Sequence, residues 1–178
     1  LDGVLADFVG GYCKLAAALG RPVPPTRPER YDDYLDDAVW AAIKSSGQFW
    51  AGLEPLVARP VADRIRALAA PADVYFATSR VGERAAAQSA FWVESRLGIA
   101  RPHVVVTFRK AELAAAVGAT WMIDDSAPHV IAVAQSCPGT TPVVLDYQHN
   151  RFDANVLGAA RVVRVESVAE FLDLAGAP

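Results

Sequence analysis

The chain has 178 residues, 53% of them hydrophobic, which is enough for one domain with a sizeable core and a small insertion. It carries 17 basic and 20 acidic residues and has an isoelectric point near 5.6. This balance argues against a nucleic-acid polymer as a partner, because surfaces that follow a phosphate backbone need clustered Lys and Arg. Small anions are compatible with it.

The two cysteines, Cys13 and Cys137, lie far apart and in apolar or loop contexts. Such a pattern is typical of neither a disulfide framework nor a metal pair, so we interpret both as buried, reduced thiols. No apolar run approaches the length of a membrane span, and no secretory leader is visible. The sequence therefore predicts a cytoplasmic protein without a membrane partner.

The chain begins Leu1-Asp2-Gly3-Val4-Leu5-Ala6-Asp7-Phe8. An Asp-Gly pair that leaves a buried strand makes a tight turn and directs a carboxylate to the carboxyl end of a parallel sheet, where open α/β folds bind ligands. Taken alone, such a pair is most often only a turn. We expect the strand that leads into Asp2, the first of the sheet, to lie upstream of Leu1.

The segment 9–56 has no strand-like pattern. It contains a predicted helix at 9–19, a proline-rich stretch at 21–28, and an acidic, aromatic part that includes Tyr31, Tyr34 and Trp40. We interpret it as a small, mostly helical cap above the carboxyl edge of the sheet. The predicted core then comprises residues 1–8 and 57–178.

Strand-like and helical patterns alternate over the rest of the chain. The helical patterns cover 60–70, 82–97, 110–117, 127–135 and 168–174. The strand-like runs are short, apolar and rich in branched or aromatic residues, and they cover 74–78, 104–108, 121–124, 143–146 and, more weakly, 161–165. This alternation predicts an α/β fold with a doubly wound parallel sheet.

Four polar features fall where predicted strands end: Asp2, the run Thr78-Ser79-Arg80, Lys110, and the pair Asp124-Asp125. Singly, each has an ordinary explanation as a helix cap, a solvated lysine or an acidic turn. Together they supply a hydroxyl, a fixed cation and carboxylates, which phosphoryl transfer requires in addition to a nucleophile. Mg²⁺ prefers oxygen ligands, and Asp125, Asp124 and the main chain at Asp2 suit it.

The order of these features resembles the haloacid dehalogenase-like phosphohydrolases. Their first motif, Asp-x-Asp-Gly and apolar residues, is similar to Leu1-Asp2-Gly3-Val4-Leu5-Ala6-Asp7 from its second position onward. Their second motif is similar to Val74-Tyr75-Phe76-Ala77-Thr78, the lysine of their third to Lys110, and their acidic fourth to Met122-Ile123-Asp124-Asp125.

Within that superfamily the chain most resembles the 5'(3')-deoxyribonucleotidases. Similar segments are Gln48-Phe49-Trp50-Ala51-Gly52-Leu53-Glu54-Pro55-Leu56, Thr78-Ser79, Phe91-Trp92-Val93-Glu94 and Ile123-Asp124-Asp125. The chain departs from the pattern at Arg80, where mammalian members have proline, and in its proline-rich cap. These departures bear on base and sugar preference.

The resemblance implies a Rossmann-like core with a cap and a Mg²⁺-dependent phosphomonoesterase that hydrolyses nucleoside monophosphates, chiefly deoxyribonucleotides, through an aspartyl-phosphate. The nucleophile would be an aspartate immediately before Leu1. Asp2 would exchange protons with the leaving oxygen and with water, and its carbonyl would contact the metal. Thr78 would bind a phosphoryl oxygen and Lys110 would balance charge. Asp125 would ligate the metal, with Asp124 as a ligand or a supporting partner.

Other residues have two interpretations each. Phe49 and Trp50 could stack on a nucleobase or could pack the cap against the core, and Trp92 is predicted to be core. Ser79 and Arg80 are candidate substrate contacts, although Arg80 could instead pair with an acid. His103, His129 and His149 show no metal or triad spacing. The segment 146–151 follows a predicted strand and could border the site, but we interpret it as a polar turn.

Two alternatives remain at this point. The same chemistry could act on another small phosphate ester, such as a sugar phosphate, because the composition of the cap does not exclude it. The chain could also be a catalytically silent module that binds nucleotide or phosphate, which is favoured if the residue before Leu1 is not aspartate. A phosphatase for nucleic-acid ends is disfavoured by the acidic isoelectric point.

Overall fold

A computed structural model of the chain describes residues 1–23, 36–70, 74–153, 157–158 and 160–177. Most of the proline-rich stretch, with Tyr31 and Tyr34, lies outside these residues. The chain forms two compact units, Leu1–Thr107 and Phe108–Pro178. Each unit contains helices and a small parallel sheet, which confirms the predicted α/β class.

The first unit contains, in chain order, α1 (Phe8–Ala18), α2 (Asp37–Ser45), α3 (Arg59–Ala69), β1 (Tyr75–Thr78), α4 (Ala85–Leu97) and β2 (His103–Val106). Strands β1 and β2 are parallel, and Thr78 lies opposite Val106. The described part of the segment 9–56 contains α1 and α2 and no named strand, as its sequence pattern predicts.

The second unit contains α5 (Lys110–Ala116), β3 (Trp121–Asp124), α6 (Ala127–Ser136), β4 (Thr141–Leu145), a 3₁₀ helix (Gln148–Asp153), β5 (Val163–Val165) and α7 (Val168–Leu174). Strand β4 lies between β3 and β5 and is parallel to both. Because β4 is central, its Val143 and Val144 are fully buried. Strand β3 has the bounds that the run 121–124 predicts.

The predicted Asp-Gly turn is present at the start of the first unit. Gly3 has a φ of +72°, a left-handed conformation that glycine adopts without steric cost. Its amide donates to the carbonyl of Ala6 at 3.1 Å, and the amide of Leu5 donates to the carbonyl of Leu1 at 2.8 Å. Nearby, the main-chain nitrogen of Leu1 donates to the carbonyl of Ala77 in β1 at 3.0 Å. These bonds place Asp2 beside the carboxyl end of β1.

Two predicted boundaries were wrong for the same reason. The fourth helix begins at Ala85 rather than at residue 82, because Gly82 has a φ of +102°, which no α-helix accommodates. A Cβ at Gly82 would also lie 2.6 Å from the carbonyl oxygen of Lys44. The last strand begins at Val163 rather than at residue 161, because Arg161 has a φ of +57°.

Each unit has its own buried apolar residues. Trp92 of α4 is fully buried, as predicted, and its Nε1 donates to the carbonyl of Leu53 at 2.8 Å. In the second unit, Ala127 and Val130 of α6 pack with Val144 of β4. Both cysteines are buried, and neither forms a disulfide. Among the described residues no helix is at once long and apolar enough to cross a membrane.

Candidate functional site

In the first unit, three of the predicted site residues meet at one carboxylate. Asp2 stands at the start of the initial turn, and Thr78 and Arg80 stand at and just beyond the end of β1. The Thr78 hydroxyl donates to Asp2 Oδ2 at 2.8 Å. Arg80 donates from Nε to both carboxylate oxygens, at 3.1 and 3.0 Å, and from Nη2 to Oδ1 at 2.7 Å. These side-chain bonds join Asp2 to residues that lie 76 and 78 positions further along the chain.

The Arg80 side chain is completely buried, whereas that of Asp2 is 23% exposed. The remaining guanidinium nitrogen, Nη1, donates to the Ser89 hydroxyl of α4 at 3.0 Å. The guanidinium carbon lies 5.1 Å from the centre of the Trp50 ring, a cation–π contact. A buried cation needs such partners because desolvation would otherwise be costly. The pairing of Arg80 with an acid, the second of its two interpretations, is therefore present.

Electrostatics favour the ionised form of Asp2. Burial alone would raise the pKa of its carboxyl, but the charge and hydrogen bonds of Arg80, with the Thr78 bond, outweigh burial and lower that pKa below 3.8. Asp2 is consequently a carboxylate at neutral pH, able to accept a proton but not to donate one until it has been protonated.

The two aromatic candidates differ in exposure. Trp50 is 2% exposed, its Nε1 donates to the carbonyl of Val81 at 2.9 Å, and its ring stacks on Phe8 and faces Arg80. Phe49 is half-buried and meets the Trp50 ring edge-on at 4.8 Å. Trp50 therefore shows the packing role that its sequence allows, and Phe49 is the more exposed ring of the pair. The Ser79 hydroxyl donates to the carbonyl of Thr107 at 3.1 Å.

In the second unit, Lys110 and Asp124 form a buried ion pair. Lys110 begins α5, Asp124 ends β3, and the lysine Nζ donates to Asp124 Oδ2 at 2.6 Å. The other oxygen, Oδ1, accepts from the amide of Ser126 at 2.9 Å and lies 3.2 Å from Nδ1 of His129. Burial would raise the pKa of Asp124, but the His129 hydrogen bond and the Lys110 charge hold it far below its usual value.

Asp125 is also buried, and two side chains hold its main-chain carbonyl. Nδ2 of Asn150 donates to that oxygen at 2.9 Å, and Nε2 of His149 also lies 2.9 Å from it. Because a carbonyl can only accept, this nitrogen of His149 carries the proton. The same nitrogen lies 3.7 Å from the carboxylate oxygen Oδ2 of Asp125.

The donor set is compatible with a hard divalent cation. Mg²⁺ commonly uses one or two protein carboxylates and completes its shell with water and phosphate oxygens. The Asp125 carboxylate offers oxygen ligands of the kind that Mg²⁺ prefers. Both oxygens of Asp124 contact Lys110, Ser126 and His129. Within the ranges that the structure covers, no three His, Cys, Asp or Glu side chains are grouped so as to hold a metal by themselves.

The structure thus joins Asp2 with Thr78 and Arg80, and Lys110 with Asp124. Five further polar side chains bond to these residues or to the neighbouring Trp50 and Asp125, and the sequence assigned no role to any of them: Gln88, Ser89, His129, His149 and Asn150. One signal could have found His129, since it lies five residues after the end of β3, in the first turn of the next helix. The contacts of His149 and Asn150 depend on the turn after β4, which the sequence pattern does not specify.

Comparison with known proteins found no match: no family model matches the chain, and neither does any curated protein.

Proposed function

We propose that this protein is a Mg²⁺-dependent phosphomonoesterase that hydrolyses nucleoside monophosphates, with deoxyribonucleotides as the preferred class. One observation carries the proposal: each unit brings together two of the four polar features, Asp2 with Thr78 and Lys110 with Asp124. The resemblance to the haloacid dehalogenase-like phosphohydrolases and their deoxyribonucleotidases supports the substrate class. It also supports a Rossmann-like, doubly wound core with the segment 9–56 as a cap.

In the proposed reaction, an aspartate that precedes Leu1 attacks phosphorus, and the nucleoside oxygen leaves. Water then hydrolyses the resulting aspartyl-phosphate. Asp2 is held as a carboxylate by Arg80 and can take a proton from that water. For the first half of the cycle Asp2 must be protonated so that it can donate to the leaving oxygen. Arg80 opposes this protonation of Asp2. The residue at which the chain departs from the family pattern therefore affects the step in which Asp2 acts as an acid.

The remaining residues bind and neutralise. The Thr78 hydroxyl is at the end of β1, where it can exchange its bond with Asp2 for one with a phosphoryl oxygen. Lys110 provides a fixed positive charge, and Asp125 provides the carboxylate for a cation. The divalent ion, when bound, supplies neutralisation of phosphate oxygen charge. Phe49, the more exposed of the aromatic pair, is the proposed contact for a nucleobase, and Ser79 is the proposed contact for phosphate or sugar.

The test is phosphate release by the protein that includes the residues before Leu1, with Mg²⁺ or with EDTA. The substrates are deoxyribonucleoside and ribonucleoside monophosphates and sugar phosphates. We expect release that requires Mg²⁺ and is confined to nucleotides. Release from sugar phosphates instead would keep the chemistry and reject the substrate class. The absence of release from all substrates would favour a silent binding module.

The matched variants are Asp125→Asn and Asp37→Asn. Asp37 lies in the exposed first turn of α2, so its change removes the same charge away from the site. We expect Asp125→Asn to lose metal-dependent turnover by at least about 100-fold. Full activity of Asp125→Asn would refute the assignment. Determining the residue encoded before Leu1 separates the two classes directly, because an aspartate is required for the enzyme.

A further inference from the structure

Asn150 occupies an unusual position in the second unit. It lies in the 3₁₀ helix after β4 and is only 1% exposed. Its Nδ2 donates to the carbonyl of Asp125 at 2.9 Å and to the carbonyl of Leu145 at 2.7 Å. Leu145 is the last residue of β4, and Asp125 directly follows the end of β3. One side-chain amide therefore bridges the carboxyl ends of two neighbouring strands.

The orientation of this amide is fixed by its partners. On the opposite side, Oδ1 accepts from Nη1 of Arg164 at 2.8 Å and from the amide of Tyr147 at 3.3 Å. Both donor hydrogens and both acceptor positions of the amide are therefore used. Such a fully satisfied buried group is rigid, because every rotation would leave a polar atom without a partner. Arg164 is itself held by Asp146.

We propose that Asn150 is a positioning residue for Asp125, and that it sets the geometry with which the Asp125 carboxylate receives a divalent cation. The inference rests on the proposed function for the role of Asp125 as a ligand. The carbonyl of Asp125 receives the Asn150 bond and the His149 bond, so both of its lone pairs are occupied and its peptide group is fixed. The Cα atom from which the carboxylate of the same residue extends is held in place by these bonds.

The chemistry requires an amide at this position. A carboxylate of the same shape would keep an acceptor for Arg164, but it would direct its second oxygen at two carbonyl oxygens. Residues that orient a metal ligand without touching the metal typically affect metal affinity by about 10–100-fold. Asn150→Asp should therefore weaken cation binding by about that factor.

The experiment measures Mn²⁺ binding by electron paramagnetic resonance on the full-length protein, because Mn²⁺ accepts the same oxygen ligands as Mg²⁺. The control is Thr140→Val. Thr140 is buried beside the amino end of β4, and its hydroxyl donates to the carbonyl of Ala119 at 2.6 Å. This change also removes one buried bond between loops of the same unit, but at the other end of the strand. We expect Mn²⁺ affinity to be unchanged in Thr140→Val within about twofold.

A second readout needs no metal. The ¹³C resonance of the Asp125 carbonyl reports the bonds that it accepts, so it should shift in Asn150→Asp and stay in place in Thr140→Val. If Asn150→Asp does not fold, Asn150→Ser, which is too short to reach both carbonyls, replaces it. Wild-type Mn²⁺ affinity in the Asn150 variant, or equal losses in the variant and the control, would overturn the inference.

These outcomes are distinct from a failure of the proposed function. If Asp125→Asn binds Mn²⁺ like the wild type, Asp125 is not a ligand, and both the proposed function and the cation part of the inference are wrong. The Asp125 carbonyl resonance then decides the positioning part. An unmoved resonance would refute it as well.

Discussion

The aspartates of the two units are held in different ways. Asp2 is bound by one guanidinium through three N–H···O contacts, and a hydroxyl adds a fourth bond. Asp124 is bound by three separate groups: an ammonium on one oxygen, and a main-chain amide and an imidazole at the other. The planar fork of arginine fixes both position and direction, whereas lysine acts as a point charge. Losing Arg80 should therefore be more damaging than losing Lys110.

The strongest test of this difference is the substitution Arg80→Met. Asp2 would keep only the Thr78 bond, and a carboxylate left in a largely buried site is costly. We expect the free energy of unfolding to fall by about 3 kcal/mol, near the low end for a broken buried pair because Asp2 is 23% exposed. Urea denaturation measures this. Arg80→Lys, which keeps the charge and loses the fork, should cost less, and a loss below about 0.5 kcal/mol in Arg80→Met would contradict the comparison.

The corresponding change in the second unit is Lys110→Met. Asp124 retains the Ser126 amide and His129, so we expect a smaller loss, about 2 kcal/mol, the range of one charged hydrogen bond. Lys44→Met, at an exposed lysine of α2, is the control and should leave stability unchanged. Asp2 depends mainly on Arg80, whereas Asp124 has three separate partners. If Lys110→Met proved as destabilising as Arg80→Met, this difference would not affect stability.

Acidification tests a property that the Asp2 and Asp124 carboxylates share, namely a lowered pKa. The pKa values of Asp2 and Asp124 are lowered in the folded protein, so the unfolded chain binds more protons as the pH falls. Their stabilisation is complete above the ordinary value of 3.8 and is lost progressively below it. Each group contributes at most about 1.4 kcal/mol per pH unit. Chemical denaturation between about pH 5 and pH 2 should show a shallower slope for Asp124→Asn than for the wild type; parallel curves would argue against the shift.

The smallest expected effect concerns the Trp50 ring, which contacts the guanidinium of Arg80. Trp50→Phe keeps an aromatic ring but removes the bond from Nε1 to the carbonyl of Val81 and weakens the cation–π contact. We expect a loss of about 1 kcal/mol in the free energy of unfolding. In the Arg80→Met background the same substitution should cost less, because the cation is gone. Equal costs in both backgrounds would mean that the ring does not act through Arg80.

The sequence predicted those elements whose pattern is local. The run 121–124 is apolar and bounded by polar residues, so its strand was predicted with the correct limits. Helix and strand starts at residues 82 and 161 were wrong because apolar pattern does not report a positive φ, which Gly82 and Arg161 adopt. The two small sheets themselves follow from pairings across many residues, which periodicity does not encode.

The candidate site divides in the same manner. The residue types at strand ends indicated which side chains carry chemistry, because parallel strands present their carboxyl ends to ligands. Their partners were not predictable. Arg80 turns to Asp2 rather than outward, and Asn150 reaches Asp125. Both contacts depend on the tertiary fold, because the partners are separated by 78 positions in the first pair and by 25 in the second. Trp50 was ambiguous until its burial was known.

The helix α4 has a further consequence for the first unit. Its Gln88 accepts from the amide of Trp50 at 2.9 Å and donates to the carbonyl of Ser46, and one turn later Trp92 donates to the carbonyl of Leu53. The segment 46–53, which lies in no helix or strand, is thus hydrogen-bonded to a helix far along the chain. The Trp50 amide loses its partner when α4 unfolds, so we expect its hydrogen exchange to follow the opening of this helix.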